Sequence, residues 1–322
     1  MTDPIVQIDN LTYRYGERRT VDGLSLAVEP GEIFGFLGPN GSGKTTLFRV
    51  LSTLAPVAPD HVKLFGLDAA NQRDAIRTHL GVVFQSPSLD KQLTAAENLM
   101  HHGHLYGLTG AELQKRIAAA LDAVSLGSRA SERVERFSGG MRRRVEVAKA
   151  LLHHPRLLLL DEPSTGLDPA ARIEMWKHLR QINAEQGVTI MLTTHLMEEA
   201  DRCTRLAVLA EGKLLACDTP AALKARIGGD VITLTTTRPT DLRAALAEKL
   251  NIEAQEVEGS LRIERQKGHE LIPQLIEAAP GLVDSVSVGK PTLEDVFIHL
   301  TGRKLSDDEE SPTNKKSPPA HV

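Results

Sequence analysis

The sequence has few aromatic residues and few cysteines. Aromatic residues make up only 3% of the 322 residues, so we expect a core built mainly from Leu, Val, Ile and Ala. Such a core suits a mixed helix and parallel-strand architecture better than an all-β sandwich. The two cysteines, Cys203 and Cys217, show no CxxC spacing. This argues against a disulfide framework or a zinc site and fits a reducing compartment.

The sequence also lacks an excess of positive charge and a long apolar run. Its net charge of -4 gives no electrostatic reason to expect nucleic-acid binding. Residues 1–10 lack the basic start and apolar stretch of a secretory signal. The most apolar run lies around Leu157–Leu160 and is far shorter than the 18 or more residues that cross a bilayer. We therefore expect any membrane role to come through a partner.

The order of the predicted elements indicates a large α/β domain followed by a small α+β domain. Strands are predicted within 5–28 and at 33–37, 157–160 and 189–192, and a hairpin at 206–216. Helices are predicted at 45–51, within 94–126 and at 142–152. The predicted domains are a large one at 1–228 with a helical subdomain at about 90–155, an accessory domain at 229–303, and a disordered tail at 304–322. In the accessory domain we expect strands at 231–235, 260–264 and 283–288 and helices at 241–250 and 270–278. The tail has too little apolar surface to fold.

A glycine-rich loop follows the buried strand at 33–37 and precedes a helix. Residues 38–45 satisfy the pattern GxxxxGK[ST], in which backbone N–H groups and the helix N-terminus bind phosphate. Lys44 is expected to reach the β and γ phosphates of ATP, and Thr45 to offer its hydroxyl to Mg²⁺. The loop residues predicted to contact the nucleotide are Gly38, Pro39, Asn40, Gly41, Ser42, Gly43, Lys44, Thr45 and Thr46.

Two carboxylates end the apolar strand at 157–160. A charge at the end of a buried strand is costly unless it meets a cation. We therefore expect Asp161 to hold Mg²⁺ and Glu162 to polarise the attacking water. The alternative, two solvated acids at a strand end, is weakened by the phosphate loop.

A second helix start suited to an anion lies at Ser138, Gly139 and Gly140. Taken alone, Ser-Gly-Gly would be an ordinary turn. The chain would then have two helix starts that can bind phosphate, one more than a single nucleotide site needs. The second helix start is explained if it closes over the γ-phosphate of ATP bound to another copy of the chain. The following Arg142–Arg144 is interpreted as a helix face beside this motif and not as a nucleic-acid patch.

These motifs together resemble the ATP-binding-cassette (ABC) ATPase family over about residues 4–228. The resemblance implies a P-loop NTPase fold with a RecA-like parallel-sheet core, an antiparallel β subdomain and a helical subdomain. The segment Phe137–Met141 looks like the family signature and departs from its commonest form only at Phe137 and Met141. Ser138, Gly139 and Gly140, the phosphate-facing part, are present.

The resemblance assigns roles to further residues. Gln85 falls in the loop that links the magnesium site to a transmembrane partner, and His195 is the switch that contacts the γ-phosphate. Asp168 would help to join the sites of two subunits. Tyr15 sits where the family places an aromatic residue on adenine. Tyr13 competes for this role, because strand alternation puts both on one face.

Three features resemble the daunorubicin-resistance type of exporter ATPase. They are Tyr15-Gly16 followed by Val21–Leu24, the run Met141–Arg144, and the motif Pro291–Phe297. The resemblance implies an ATP- and Mg²⁺-dependent homodimer at the cytoplasmic face of the plasma (inner) membrane, attached to separate ABC-2 permease subunits. It would power export of a drug, lipid or polysaccharide. The alternative is a soluble ABC ATPase acting as a regulatory, translation or repair factor, but the chain lacks the second cassette or long coiled coil of the translation and repair members.

Overall fold

The computed structural model describes residues 3–305. Contacts between Cα atoms divide these residues into two compact units, with the division between Cys217 and Asp218. The domain boundary that we expected at residue 228 is later in the sequence than this division. It stays a prediction. The predicted tail at 304–322 lies outside the described residues except for Lys304 and Leu305.

The first unit combines two sheets with several helices. Its strands are β1 (Val6–Tyr15), β2 (Arg18–Val28), β3 (Ile33–Leu37), β4 (Val62–Leu64), β5 (Leu67–Asp68), β6 (Leu80–Val83), β7 (Leu157–Asp161), β8 (Thr189–Thr194), β9 (Arg205–Ala210) and β10 (Lys213–Asp218), the last ending at the boundary between the units. Its helices are α1 (Lys44–Leu51), α2 (Arg73–Arg77), α3 (Ala95–Leu105), α4 (Gly110–Asp122), α5 (Gly139–Leu151), α6 (Pro169–Gln186) and α7 (Met197–Ala200).

The larger sheet is mainly parallel and has the strand order β10-β9-β3-β8-β7-β6. Every residue of β3 and β8 is buried, as expected for parallel strands that are covered on both faces. In the strand register Leu37 lies beside Thr194, and Asp161 lies beside Thr193. The carboxyl ends of β3, β7 and β8 therefore meet at one edge of the sheet.

The smaller sheet is antiparallel, with the strand order β2-β1-β4-β5. Its buried side chains share one apolar core with α1 and with β3, including Val6, Val28, Phe36 and Leu47. At the turn end of the first hairpin, Tyr15 pairs with Arg18. This pairing brings Tyr15 close to the start of β2.

Helices α3, α4 and α5 form the segment between β6 and β7. Helix α3 begins at a capping box in which Thr94 and Glu97 exchange hydrogen bonds. The three helices bury Leu99, Leu113 and Val147 in a core that also contains Trp176 of α6. The helices predicted within 94–126 and 142–152 are confirmed.

The second unit contains a four-stranded antiparallel sheet and four helices among its described residues. Its elements are α8 (Pro220–Ala225), β11 (Asp230–Thr235), α9 (Pro239–Leu250), β12 (Gln255–Val257), β13 (Ser260–Arg265), α10 (Gly268–Ala278), β14 (Ser285–Gly289) and α11 (Leu293–Thr301). Leu242 and Leu275 share a core with Ile232 and Leu234 of β11, which places α9 and α10 against the sheet. The expected α+β composition is confirmed. No helix among residues 3–305 has both the length and the apolar character needed to cross a bilayer.

Candidate functional site

The predicted phosphate loop connects β3 to α1 and depends on glycine at several positions. Gly41 and Gly43 have φ of +83° and +103°, in the left-handed region that side chains disfavour. A Cβ atom at Gly43 would also lie 2.5 Å from the carbonyl oxygen of Thr20, and one at Gly38 would collide with the carbonyl oxygen of Leu209. Glycine is therefore required both for the turn and for the close approach of neighbouring backbone.

Lys44 and Ser42 give the loop its polar lining. The Lys44 side chain is buried, and its ammonium group donates to the carbonyl oxygens of Gly38 and Pro39. The Ser42 hydroxyl is buried with no hydrogen-bond partner among the described residues. A buried hydroxyl without a partner costs about 1–3 kcal/mol. The free hydroxyl, the ammonium group and the N-terminus of α1 together fit a phosphate group. Thr45 is exposed at the second position of α1, and Thr46 beside it is buried.

Tyr15 lies at the turn end of the hairpin formed by β1 and β2, and its strand partner is near the phosphate loop. It is 44% exposed, and its ring centroid is 5.2 Å from that of Tyr13. Its strand partner Arg18 approaches Gly41, where a Cβ atom would lie 3.4 Å from the guanidinium. The structure therefore offers Tyr15 as an exposed aromatic face beside the loop, while Tyr13 is partly buried.

Asp161 and Glu162 lie at the carboxyl end of β7, as the sequence predicted. The Thr193 hydroxyl donates to Oδ1 of Asp161 at 2.6 Å and accepts from the backbone N–H of Glu162 at 3.0 Å. Glu162 has φ of +44°, a conformation that is costly for a residue with a side chain. Thr193 of the neighbouring strand β8 therefore forms hydrogen bonds with both residues of the acidic pair.

The side chain of Glu162 contacts a residue of its own loop and residues of two other segments. Its Oε2 atom accepts from the amide of Gln85 at 3.1 Å and from the hydroxyl of Thr165 at 3.1 Å. Its Oε1 atom lies 3.3 Å from Nδ1 of His195. The hydrogen bond from His195 is the main cause that lowers the pKa of Glu162, with smaller contributions from the charges of His195 and Lys44 and from Thr165. The carboxylate is therefore kept ionised at neutral pH.

Asp161 has the opposite electrostatic balance. Burial raises its pKa, the negative charge of Glu162 adds to this rise, and the Thr193 hydrogen bond and the nearby cations Arg143 and Lys44 oppose it. A half-buried carboxylate of this kind is stabilised when it meets a cation. Carboxylate, amide and hydroxyl oxygens are the ligands that Mg²⁺ prefers, so the side-chain chemistry of Asp161, Gln85 and Thr45 fits the predicted magnesium site.

A buried arginine, Arg143 of α5, lies beneath the two carboxylates. Its guanidinium donates to the backbone carbonyl oxygens of Phe84, Asp161 and Pro163. The run Arg142–Arg144 lies on α5 beside the predicted signature, as expected, but Arg143 within it is buried and only 7% exposed. Its spacing from Gly140 and Val147, three and four residues, places it on the buried stripe of the helix, which is the signal that could have found it.

A second buried group supports the segment that carries His195. Glu199 is 1% exposed and accepts from the hydroxyl of Thr194 and, at 3.3 Å, from the indole N–H of Trp176. The backbone N–H of Leu196 in turn donates to the Thr194 hydroxyl. These bonds fix the backbone on both sides of His195. The sequence offered little sign of this role, since a glutamate in a surface-like helix is usually solvated.

The predicted signature residues form a separate group at the start of α5. The Ser138 hydroxyl caps this helix by accepting from the backbone N–H of Met141 at 3.2 Å. A Cβ atom at Gly140 would lie 2.8 Å from Cβ of Ala171, so α5 and α6 approach closely. Asp168 caps α6 by accepting from the backbone N–H of Ala171 at 2.9 Å. Gly139 is exposed beside them.

The predicted site residues thus fall into two groups in one chain. Lys44, Asp161, Glu162, Gln85 and His195 meet at the carboxyl edge of the parallel sheet, together with the phosphate loop. The residues Ser138, Gly139, Gly140 and Asp168 gather around the adjacent starts of α5 and α6.

The fold and the first group of residues define an ABC-type ATPase, and comparison with known proteins agrees. The chain matches the family described as ABC transporter over residues 21–165. It is 40% identical to the Nod factor export ATP-binding protein I of Paraburkholderia xenovorans, over 95% of this chain and 100% of the relative. It is 35% identical to the daunorubicin resistance ATP-binding protein DrrA2 of Streptomyces coeruleorubidus, over 94% of this chain and 97% of the relative.

Solved structures show the same cassette. The structure of cbiO1 from Clostridium perfringens, part of the ABC transporter complex cbiONQ, has a TM-score of 0.65 and 26% identity, and the match covers 70% of this chain and 92% of that one. A dimeric post-hydrolysis structure of the ATP-binding cassette MJ0796 with ADP and Pi has a TM-score of 0.59 and 28% identity, over 66% of this chain and 98% of that one.

The chain belongs to the ABC transporter family. It is an ATP-binding, ATP-hydrolysing subunit of the exporter type. The predicted fold class and the resemblance to the daunorubicin-resistance type are confirmed.

Proposed function

We propose that this chain powers export of a drug, lipid or polysaccharide through a separate membrane protein. It does so by hydrolysing ATP as a head-to-tail homodimer. The observation that carries the catalytic part is the carboxylate of Glu162, which receives contacts from Gln85, Thr165 and His195 beside Asp161. A lone acid at a strand end would not gather partners from its own loop and from two remote segments of the chain.

The residues of the first group have distinct proposed roles. The backbone N–H groups of residues 38–46 and the ammonium group of Lys44 bind the phosphates of ATP, while the ring of Tyr15 stacks on the adenine. Thr45, Asp161 and Gln85 hold Mg²⁺, which when bound neutralises charge on the phosphates. Phosphoryl transfer depends mainly on such positioning and charge stabilisation.

Glu162 is the proposed general base. Its lowered pKa keeps the carboxylate ionised, so that its oxygens can accept a hydrogen bond from a water molecule and orient it. The lowered pKa does not strengthen the base, and the proposed proton transfer depends on this positioning of the water. Nδ1 of His195 lies 3.3 Å from Oε1 of this carboxylate. The proposed role of His195 is to contact the γ-phosphate of ATP. The Thr194 and Glu199 bonds keep the His195 backbone in place while it does so.

The second group of residues belongs, in this proposal, to the site of a partner copy. Ser138, Gly139 and Gly140 lie at the start of α5, where the exposed Ser138 and Gly139 can bind the γ-phosphate held by the other copy. Asp168 begins the adjacent helix and links the two sites. Support comes from the relative whose cassette is dimeric with ADP and phosphate.

Complementation between two inactive variants tests the dimer. Lys44→Ala removes the phosphate ammonium group, and Ser138→Arg blocks the second helix start. Each purified variant alone should lose hydrolysis, because both of its composite sites carry one defect. A mixture should recover activity, because a mixed dimer has one site with Lys44 and Ser138 both intact. Ser138→Arg should keep the ATP affinity of the single chain, measured by equilibrium binding. A mixture as inactive as its components would refute the head-to-tail arrangement.

Recovery of the chain from cells tests the transport partner. The proposed permease is of the ABC-2 class, and the chain would sit on the cytoplasmic face of the plasma membrane through it. Export and drug-resistance functions in the names of the relatives support this choice. A tagged chain extracted in mild detergent should therefore retain a polytopic membrane protein. Retention of ribosomes or DNA-repair proteins instead would favour the soluble alternative.

A further inference from the structure

The guanidinium group of Arg143 bridges two segments of the first unit, the one that carries Gln85 and the one that carries Glu162. Its Nε atom donates to the carbonyl oxygen of Pro163 at 2.9 Å, and Nη2 donates to that of Asp161 at 2.8 Å. On the opposite side Nη1 donates to the carbonyl oxygen of Phe84 and to Oε2 of Glu146 at 2.9 Å. One planar group thus joins the residue before Gln85 to the backbone on both sides of Glu162.

The bridged backbone includes Glu162, whose backbone conformation is strained. Glu162 has φ of +44°, so surrounding contacts must hold this conformation. The Arg143 donors reach the carbonyl oxygens immediately before and after Glu162. They leave its side chain to face Gln85, Thr165 and His195. Arg143 therefore touches the backbone of the turn and not the reacting groups.

The other end of the Gln85 segment is anchored to the same helix. Glu146 accepts from the backbone N–H of Ser88 at 2.7 Å, and Lys149 donates to the Ser88 hydroxyl. Glu146 is 4% exposed and also balances the charge of Arg143. Residues 84–88 are thus held at both ends by α5, with Gln85 between the two anchors.

We propose that Arg143 is a positioning residue that sets the placement of Gln85 relative to Glu162. This inference rests on the proposed function of Glu162 as the base. The planar fork of arginine supplies several donors in fixed directions, whereas a lysine supplies a point charge and cannot span the same carbonyl oxygens. The predicted consequence is that loss of the fork slows hydrolysis without loosening nucleotide binding.

The test compares Arg143→Lys with Arg144→Lys in the full-length chain. Arg144 is the next residue of the same helix, and its guanidinium donates to the carbonyl oxygen of Val124 at 3.2 Å and pairs with Glu174, away from the carboxylates. Arg143→Lys should lower kcat about 10-fold or more, since misplacement by about 1 Å can cost as much as 100-fold. KM for ATP and the thermal midpoint should stay close to those of Arg144→Lys. Equal kcat in the two variants would overturn the proposal.

A double-mutant cycle with Gln85→Ala separates positioning from general damage. If Arg143 acts through Gln85, the effect of Gln85→Ala on kcat should largely disappear in the Arg143→Lys background. Additive effects would overturn the proposal. Arg143→Gln combined with Glu146→Gln removes both buried charges and should show the same kcat loss with unchanged KM. If both Arg143 variants fail to fold, Arg143 has a structural role only and the proposal is wrong.

Glu162→Gln in the same assay distinguishes failure of the inference from failure of the proposed function. Near-normal turnover of Glu162→Gln would remove the base, and the positioning inference would fall with it. Lost turnover in Glu162→Gln together with normal turnover in Arg143→Lys would overturn the positioning inference alone.

Discussion

The Nδ1 atom of His195 lies 3.3 Å from Oε1 of Glu162, and the two side chains are 22% and 13% exposed. His195 follows β8 and Glu162 follows β7, so the pair links the ends of two adjacent parallel strands. This contact is the main cause of the lowered pKa of Glu162. His195, the proposed switch, and Glu162, the proposed base, are therefore electrostatically coupled.

Substitution of His195 should raise the pKa of Glu162. In His195→Gln the carboxylate loses both the hydrogen bond and the charge that favour its ionised form, so the pKa should move up toward the ordinary range. A lowered pKa stabilises the fold above the unfolded-state pKa, and this stability is lost as the pH falls through the folded-state value. The variant should therefore lose less stability on acidification. Titration of the Glu162 carboxyl carbon by ¹³C NMR measures the shift.

Thr165→Ala is the matched comparison, because Thr165 is a smaller contributor to the same pKa. Its effect should have the same sign and a smaller size than that of His195→Gln. An unchanged pKa of Glu162 in His195→Gln would contradict the proposed electrostatic coupling between Glu162 and His195.

Glu162→Gln should keep ATP binding and lose turnover. The amide cannot accept a proton from water, and removal of a general base costs roughly 100-fold or more in rate. ATP affinity should persist, because the phosphate loop is untouched, and an ATP-dependent dimer should accumulate. Steady-state hydrolysis, equilibrium nucleotide binding and size-exclusion chromatography with ATP measure the three properties. Turnover within a few-fold of the unsubstituted chain would exclude Glu162 as the base.

Much of the architecture could be predicted because the decisive signals are local. The apolar runs of β3, β7 and β8 and the glycine pattern before α1 indicated strands, loop and helix directly. The short strands β4 and β5 were not predicted, since two or three residues carry no usable periodicity. Helix α6 was also not predicted, although Asp168 and Pro169 give the usual start signal.

The contacts within the site could be predicted only in part. Motif order placed Glu162 and His195 at strand ends, but the bonds from Thr193 and Arg143 depend on which side of each element faces inward. The burial of Arg143 was not predicted, because a charged residue on a buried helix face runs against the usual pattern. Only the packed structure shows that its charge meets Glu146 and backbone carbonyl oxygens.

Gly140→Ala should destabilise the chain through the contact between α5 and α6. The added methyl group would lie 2.8 Å from Cβ of Ala171, which is closer than carbon atoms pack, so the two helix starts must separate. Overpacking of this kind costs about 1–3 kcal/mol. Chemical denaturation of the first unit measures the change in the free energy of unfolding.

Ala171→Gly in the Gly140→Ala background should relieve this clash. The double variant should recover most of the lost stability, apart from the small cost of glycine near a helix start. Gly139→Ala is a useful control, since a Cβ atom there would meet Leu167 at an ordinary 3.8 Å. Equal destabilisation by Gly139→Ala and Gly140→Ala would contradict a packing role specific to Gly140.

Asp295→Ala should loosen α11 in the second unit, where the motif Pro291–Phe297 lies. Asp295 completes a capping box by accepting from the backbone N–H of Thr292 at 2.7 Å, and its Oδ1 atom lies 3.3 Å from the guanidinium of Arg262. Arg262 is only 4% exposed, so loss of one of its carboxylates leaves a buried charge with fewer partners. The expected cost is about 1–3 kcal/mol.

Hydrogen exchange of the amides of residues 293–301 measures the loosening of α11 directly. Glu294→Ala changes the exposed neighbour and should leave this exchange unchanged. Arg262→Met in the Asp295→Ala background should restore part of the protection, because it removes the buried charge that lost its partner. Equal exchange in Asp295→Ala and Glu294→Ala would show that the cap contributes nothing. If the expected pattern is observed, the motif Pro291–Phe297 is explained by its packing within the second unit, since Leu293, Val296 and Phe297 are all buried.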